Sequence, residues 1–107
     1  MIHAANMELT PAIQAFIEEK MGLVGKLLPA KDNALAQARV EVGRPSRHHH
    51  TGAVHRAEVN LKIGGRLLRA DAQHEDLYVA VNLTREEIER QIRKAKTKIA
   101  ARRRPQR

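Results

Sequence analysis

Between Ala36 and Gln73 the chain alternates in character at every second residue, in three separate runs. Ala36, Ala38, Val40 and Val42 alternate with Gln37, Arg39 and Glu41. Ala57, Val59, Leu61 and Ile63 alternate with Arg56, Glu58, Asn60 and Lys62. Leu68, Ala70 and Ala72 alternate with Arg69, Asp71 and Gln73. Successive side chains of a strand point to opposite faces, so this period of two predicts three strands with one apolar and one polar face each. Gly64-Gly65 is a two-residue hairpin signal, and a longer loop from Gly43-Arg44-Pro45-Ser46 to Gly52 links the first two strands. Such a sheet exposes an apolar face that another part of the chain must cover.

Two segments of helical period are on hand to do so. Thr10-Pro11 reads as an N-cap followed by a first helical residue, after which Ile13, Phe16, Ile17, Met21, Val24 and Leu28 recur at steps of three and four. Pro29 is expected to end that helix, with Lys31-Asp32-Asn33 as a turn. Near the other end, Leu77, Val81, Thr84, Ile88, Ile92, Ala95 and Ile99 fall on one face of a second helix. Glu75-Asp76 precedes it as a cap. Ile2 to Ala5 adds a short edge strand. The expected fold is α+β in the order β-α-β-β-β-α: a two-layer sandwich with two helices on one face of a four-stranded, mostly antiparallel sheet. The outward residues of the strands alternate in sign, which predicts cross-strand ion pairs. The 107 residues suit one domain, 1–101, followed by a basic disordered tail, 102–107.

Charge narrows the function. Residues 85–107 hold ten Lys and Arg against three Glu, a net of +7 out of +8 for the whole chain. Arg90, Arg93, Lys94 and Lys98 lie opposite the apolar stripe, Lys96 lies on its flank, and the helix runs into Arg102, Arg103 and Arg104. Acids early in a helix (Glu86, Glu87, Glu89) and bases late complement its dipole, but two or three basic residues suffice for that. The surplus reads as a footprint for a polyanion. With one Phe, one Tyr and no Trp, base stacking of the single-strand kind is not expected, since Phe16 is on an apolar face and Tyr78 alone could be free.

Other chemistries have little to stand on. There is no cysteine, no phosphate-binding glycine loop, and Ser46 is the only serine. His48-His49-His50 with His55 could attract a metal, yet no cysteine or acidic cluster completes a site, so a solvated loop is expected. No cofactor, metal or small-molecule substrate is expected. The N-terminus lacks the build of a secretory signal and no apolar run is long enough to span a bilayer, so the expectation is a cytoplasmic, non-enzymatic protein away from membranes.

Asp76-Leu77-Tyr78-Val79-Ala80-Val81, then Glu89-Arg90-Gln91-Ile92-Arg93-Lys94 with Lys96 and Lys98, resembles the last helix of the short ribosome hibernation-promoting factors. These are also called ribosome-associated translation inhibitors or the sigma-54 modulation family. Leu9-Thr10-Pro11-Ala12-Ile13 with Glu18-Glu19-Lys20 is similar to that family's first helix, and Gly64-Gly65 with Ala70-Asp71-Ala72 to its second hairpin and last strand. The resemblance implies a protein that occupies the decoding region of the small ribosomal subunit and holds ribosomes inactive. It places rRNA phosphate contacts on Arg90, Arg93, Lys94, Lys96 and Lys98, with Arg85, Arg102, Arg103 and Arg104 as further cations and Tyr78 at the family's tyrosine position. Asn82 stands where an Asp is usual, Ala4-Ala5 replaces a glycine and a frequently polar or basic residue, and Leu27-Leu28 replaces an aromatic pair. The chain stops where longer members continue into a dimerisation domain, and a monomer is expected when free.

Two other readings start from the same residues. A double-stranded RNA-binding module shares the α-β-β-β-α core, but holds phosphates at the N-terminal end of its last helix, here His74-Glu75-Asp76. A protein-interaction module would need an exposed apolar patch, whereas the helices' apolar faces are expected to be used by the sheet.

Overall fold

The computed structural model describes residues 1–44 and 54–103, with only the backbone described for 97–103. The elements follow in the order β1 (Ile2–Ala5), α1 (Pro11–Gly25), α2 (Ala30–Leu35), β2 (Ala36–Gly43), β3 (His55–Ile63), β4 (Arg66–His74) and α3 (Leu77–Arg103). One four-stranded sheet, in the order β1-β2-β3-β4, carries the helices on its apolar face. β1 runs parallel to β2, with Ile2 opposite Val40 and Ala5 opposite Gly43. The other two pairings are antiparallel, so the α+β sandwich expected from the alternation is the fold observed.

The helix starts are chemically explicit. The Thr10 hydroxyl accepts a hydrogen bond from the Ile13 amide at 3.2 Å, and Pro11 takes the first helical position, where its missing N–H costs nothing. α1 ends at Gly25, earlier than the sequence pattern suggested. The amides of Leu27 and Leu28 turn back to the carbonyls of Val24 and Gly25 at 3.0 and 3.1 Å, tightening the chain. The turn expected at Lys31-Asp32-Asn33 is instead the short helix α2. Pro29, which cannot continue the α1 ladder, opens this new helix, and its carbonyl accepts the Asn33 amide at 2.9 Å. Asp32 in the first turn suits the positive end of the helix.

The core is the inward half of each predicted alternation. Val40 and Val42, Ala57, Val59 and Leu61, and Ala70 meet Ile17 and Val24 of α1 and Leu77, Ala80, Val81, Ile88 and Ile92 of α3. Each buried aliphatic side chain contributes about 1.5–3 kcal/mol over an exposed one, so these contacts hold the layers together. α3 lies over β3 and β4 with α1 beside it. Coverage of the helices is incomplete, since Leu23 and Leu83 remain 36% and 41% exposed.

Two local features fix the edges. Gly64 takes φ +59° at the first loop residue of the β3–β4 hairpin, a conformation glycine adopts without strain. At the opposite end of the sheet, Asn6 leaves β1 at φ +58°, and its side-chain amide donates to the carbonyl of Arg44 at 3.2 Å. The N-terminal ammonium donates to the Ala38 carbonyl at 2.8 Å, and Met1 O accepts the Val40 amide at 2.8 Å.

The outward face of the sheet balances its own charge. The register sets Glu41, Glu58 and Asp71 in one row across three strands. The Arg56 guanidinium reaches both Asp71 (2.8 Å) and Glu58 (3.0 Å), and Arg69 approaches Glu58 at 3.8 Å. Asn60 donates to Glu58 at 3.1 Å, and this bond, followed by that from Arg56, holds the Glu58 carboxyl below the ordinary carboxylate range. The predicted cross-strand ion pairs are present.

Candidate nucleic-acid interface

α3 is positioned from its first residue. Asp76 Oδ1 accepts the Tyr78 amide at 2.9 Å and Asp76 O accepts the Ala80 amide at 3.1 Å, so Asp76 is the cap. The Asp76 amide in turn donates to Nδ1 of His74 at 2.9 Å, and His55 Nδ1–H donates to the Glu75 carbonyl at 2.9 Å. Both histidines therefore clasp the β4–α3 connection. An open cleft of about 530 Å³ lies here between His55, His74 and Tyr78, at the acidic end of the helix. Among the described residues no group of three or more His, Asp or Glu forms a metal-binding arrangement, and His48-His49-His50 lies outside them.

The apolar stripe buries Leu77, Val81, Thr84, Ile88 and Ile92 as the spacing predicts, with Ala95 half-buried. Thr84 is fully buried, and its hydroxyl donates to the Val81 carbonyl at 2.7 Å. Ile99 is on α3 by its backbone, but its side chain lies outside the described residues. One residue departs from expectation. Glu89, read as an acid complementing the helix dipole, is only 8% exposed. It sits between two arginines one turn away on either side, 3.0 Å from Arg85 and 3.8 Å from Arg93. A carboxylate tolerates such a position because its charge is shared with two guanidiniums.

The candidate cations divide into two groups. Arg85 is half-buried, held by Glu89, with a long 3.5 Å contact to Asn82. Arg90 is exposed but grips Glu87 through Nε at 2.9 Å and Nη2 at 2.7 Å. Those bonds, reinforced by one from Gln91, lower the Glu87 carboxyl to about 2. Arg93 is exposed and leans toward Glu89. Lys94 and Lys96 are exposed and enter no ion pair among the described residues. Lys98, Arg102 and Arg103 continue α3 by backbone, their side chains lying outside the described residues with Arg104.

Tyr78 is not free. It packs edge-on against Phe16 of α1, with ring centroids 4.6 Å apart and planes at 87°, and the Lys20 ammonium lies 5.1 Å from the Phe16 centroid. At 40% exposure Tyr78 keeps part of its ring on the surface between the helices. Gln91 ties the far side of α3 to the sheet by donating to the Arg69 carbonyl at 2.8 Å. The exposed cations are thus carried on a helix anchored along both flanks.

Residues 1–100 match the model of the sigma 54 modulation protein / S30EA ribosomal protein family. The chain belongs to that family. It is 33% identical over 98 residues to a ribosome hibernation promotion factor of Staphylococcus aureus (strain COL), covering 92% of this chain and 48% of that protein. The chain therefore spans about half the length of that curated relative. The Protein Y N-terminal domain of Thermus thermophilus has the same fold, with a TM-score of 0.66 at 22% identity, covering 87% of this chain and 92% of that one. A ribosomal subunit interface protein from Coxiella burnetii gives 0.65 at 20% identity, over 90% and 94% of the two chains. Both likenesses are likenesses of fold. Within this family, the Arg–Glu ladder of α3 is what reading the sequence missed. Its signal was present in the i,i+4 spacing of Arg85, Glu89 and Arg93 and the i,i+3 spacing of Glu87 and Arg90.

Proposed function

We propose that this protein binds the small ribosomal subunit at the decoding region and holds it inactive, laying α3 against rRNA phosphates where messenger and transfer RNA would otherwise run. The observation that carries the reading is that Lys94 and Lys96 are exposed and without an ion pair among the described residues, and lead into a stretch with no acidic residue after Glu89, in a chain of this family. The mechanism is occupation and charge neutralisation in the cytoplasm. No bond is made or broken, and no cofactor takes part.

Each side chain has a distinct part. Lys94 and Lys96 meet phosphates directly, and Lys98, Arg102, Arg103 and Arg104 extend the contact. Arg90 and Arg93 offer exposed guanidiniums, Arg85 supports them from a deeper position, and Tyr78 keeps part of its ring on the surface near the start of the helix. A double-stranded RNA module is disfavoured, because the start of α3 is an acidic cap in place of a phosphate-holding lysine cluster.

Sedimentation with purified small subunits over a range of salt tests the proposal. Each phosphate contact releases counterions, so log K should fall with log salt by about 0.7–0.9 per contact. Failure to co-sediment, or an affinity flat between low and physiological salt, overturns it.

A further inference from the structure

A helix that only had to attract polyanions would gain nothing from Glu87 and Glu89. Both lie beyond the first turn of α3, past the range in which a carboxylate complements the helix dipole. Exposed pairs such as Glu87–Arg90 contribute little stability. Their geometry is more telling. Glu87 takes Nε and Nη2 of Arg90 together, the edge through which a guanidinium would grip a phosphate with two parallel bonds. Glu89 takes a single nitrogen, Nη1 of Arg85, at 3.0 Å and lies 3.8 Å from Nη2 of Arg93. Lys94 and Lys96, one step further on, carry no such partner among the described residues, and no acidic side chain follows in the sequence.

We infer that Glu87 and Glu89 make the helix selective: Glu87 occupies the phosphate-binding edge of Arg90, and Glu89 holds one nitrogen of Arg85 and draws Arg93 toward it, until a rigid RNA surface displaces them. A flexible strand offers one phosphate at a time, and its contact with an arginine must first break an existing pair. A folded RNA surface presents several phosphates in fixed positions, so the exchanges occur together and their sum favours binding. Loose polyanions are left with the lysine half of the helix. Discrimination of this kind comes from penalising the wrong partner as much as from rewarding the right one. The inference rests on the proposed function, from which it takes the rigid partner.

The test uses Glu87→Gln and Glu89→Gln in the full chain, with poly(U) and purified small subunits as the two probes. Gln keeps the shape of each side chain and removes its charge, and thermal melting confirms that each variant is folded. Freeing one arginine should steepen the salt slope on poly(U) by about 0.7, which at 0.1 M salt is an affinity gain of about fivefold. Small subunits should gain less, so the ratio of the two affinities falls in both variants. Poly(U) slopes equal to the parent's, or equal gains for both probes, would overturn the inference. If the parent itself fails to sediment with small subunits, the functional reading falls, and unchanged or steepened poly(U) slopes still decide whether the carboxylates screen the arginines.

Discussion

Gly43 and Ala5 face each other across the parallel β1–β2 pair so closely that a Cβ on Gly43 would overlap the carbonyl oxygen of Ala5. That carbonyl also accepts the Arg44 amide at 3.2 Å, so it cannot swing aside without breaking the end of the pairing. Gly43→Ala should therefore destabilise the domain by about 1–3 kcal/mol, with β1 the first element to loosen. Urea melting together with hydrogen exchange at Ile2–Ala5 measures both. A loss under about 0.5 kcal/mol would mean that β1 shifts freely on β2.

Asn6 holds the other side of the same corner. Its left-handed backbone costs an L-residue with a Cβ about 1–2 kcal/mol, partly offset by the side-chain bond to Arg44. Asn6→Ala keeps the strain and loses the bond, whereas Asn6→Gly loses the bond and relieves the strain. The glycine variant should melt higher than the alanine variant, and the reverse order would contradict the assigned conformation.

The two faces of α3 can be separated by mutation. Lys94→Glu with Lys96→Glu alters exposed residues that hold no ion pair among the described residues, and should change stability by no more than about 1 kcal/mol. Binding to small subunits should weaken by at least about 25-fold at 0.1 M salt, a factor of five for each lost contact. Ile92→Asp, 3% exposed against the core, should instead cost about 3–5 kcal/mol. Reversing Arg90 and Arg93 is a less clean test, because each new glutamate would face Glu87 or Glu89. Circular dichroism melting beside co-sedimentation reads both effects. A folded double-lysine variant that binds as the parent does would remove α3 as the binding surface.

Acid titration probes the Glu87–Arg90 pair directly. The folded carboxyl, at about 2, lies below its ordinary 4.5, with the hydrogen bonds from Arg90 first among the causes. Its contribution to stability is therefore complete above pH 4.5, declines as pH falls from there, and is gone below about 2. Carbon-detected NMR titration of Glu87 should show the low midpoint, and Arg90→Ala should move it upward. A midpoint unaffected by that substitution would mean the pair does not persist in solution.

What could be read from the residues follows from how directly each signal reports geometry. Period two exposes a half-buried strand because alternate side chains reach opposite faces, and all three runs became β2, β3 and β4 with the inward sets intact. α2 escaped because six residues are too few for a helical period to stand out beside Pro29. The Phe16–Tyr78 contact joins two helices distant in sequence, and only their placement over one sheet brings the rings together. On α3 the exposure of Arg90, Arg93, Lys94 and Lys96 was legible, but the partnering of the arginines was not. The i,i+3 and i,i+4 spacings permit such pairs without saying which of them form, and the burial of Glu89 depends on packing that spacing alone does not report.

The sheet's balanced outer face and the position of the last acid, Glu89, together give the molecule a lopsided charge. In the field of a polyanion such a body feels a torque as well as a pull. At 0.1 M salt that field reaches only about 10 Å, so alignment is confined to the final nanometre of approach. Within that distance the cationic end turns toward the partner first, and the sheet arrives already oriented. The charges near the end of α3 then act twice, raising the share of collisions that succeed and, as phosphate contacts, slowing departure, while the packed flanks hold the helix that carries them.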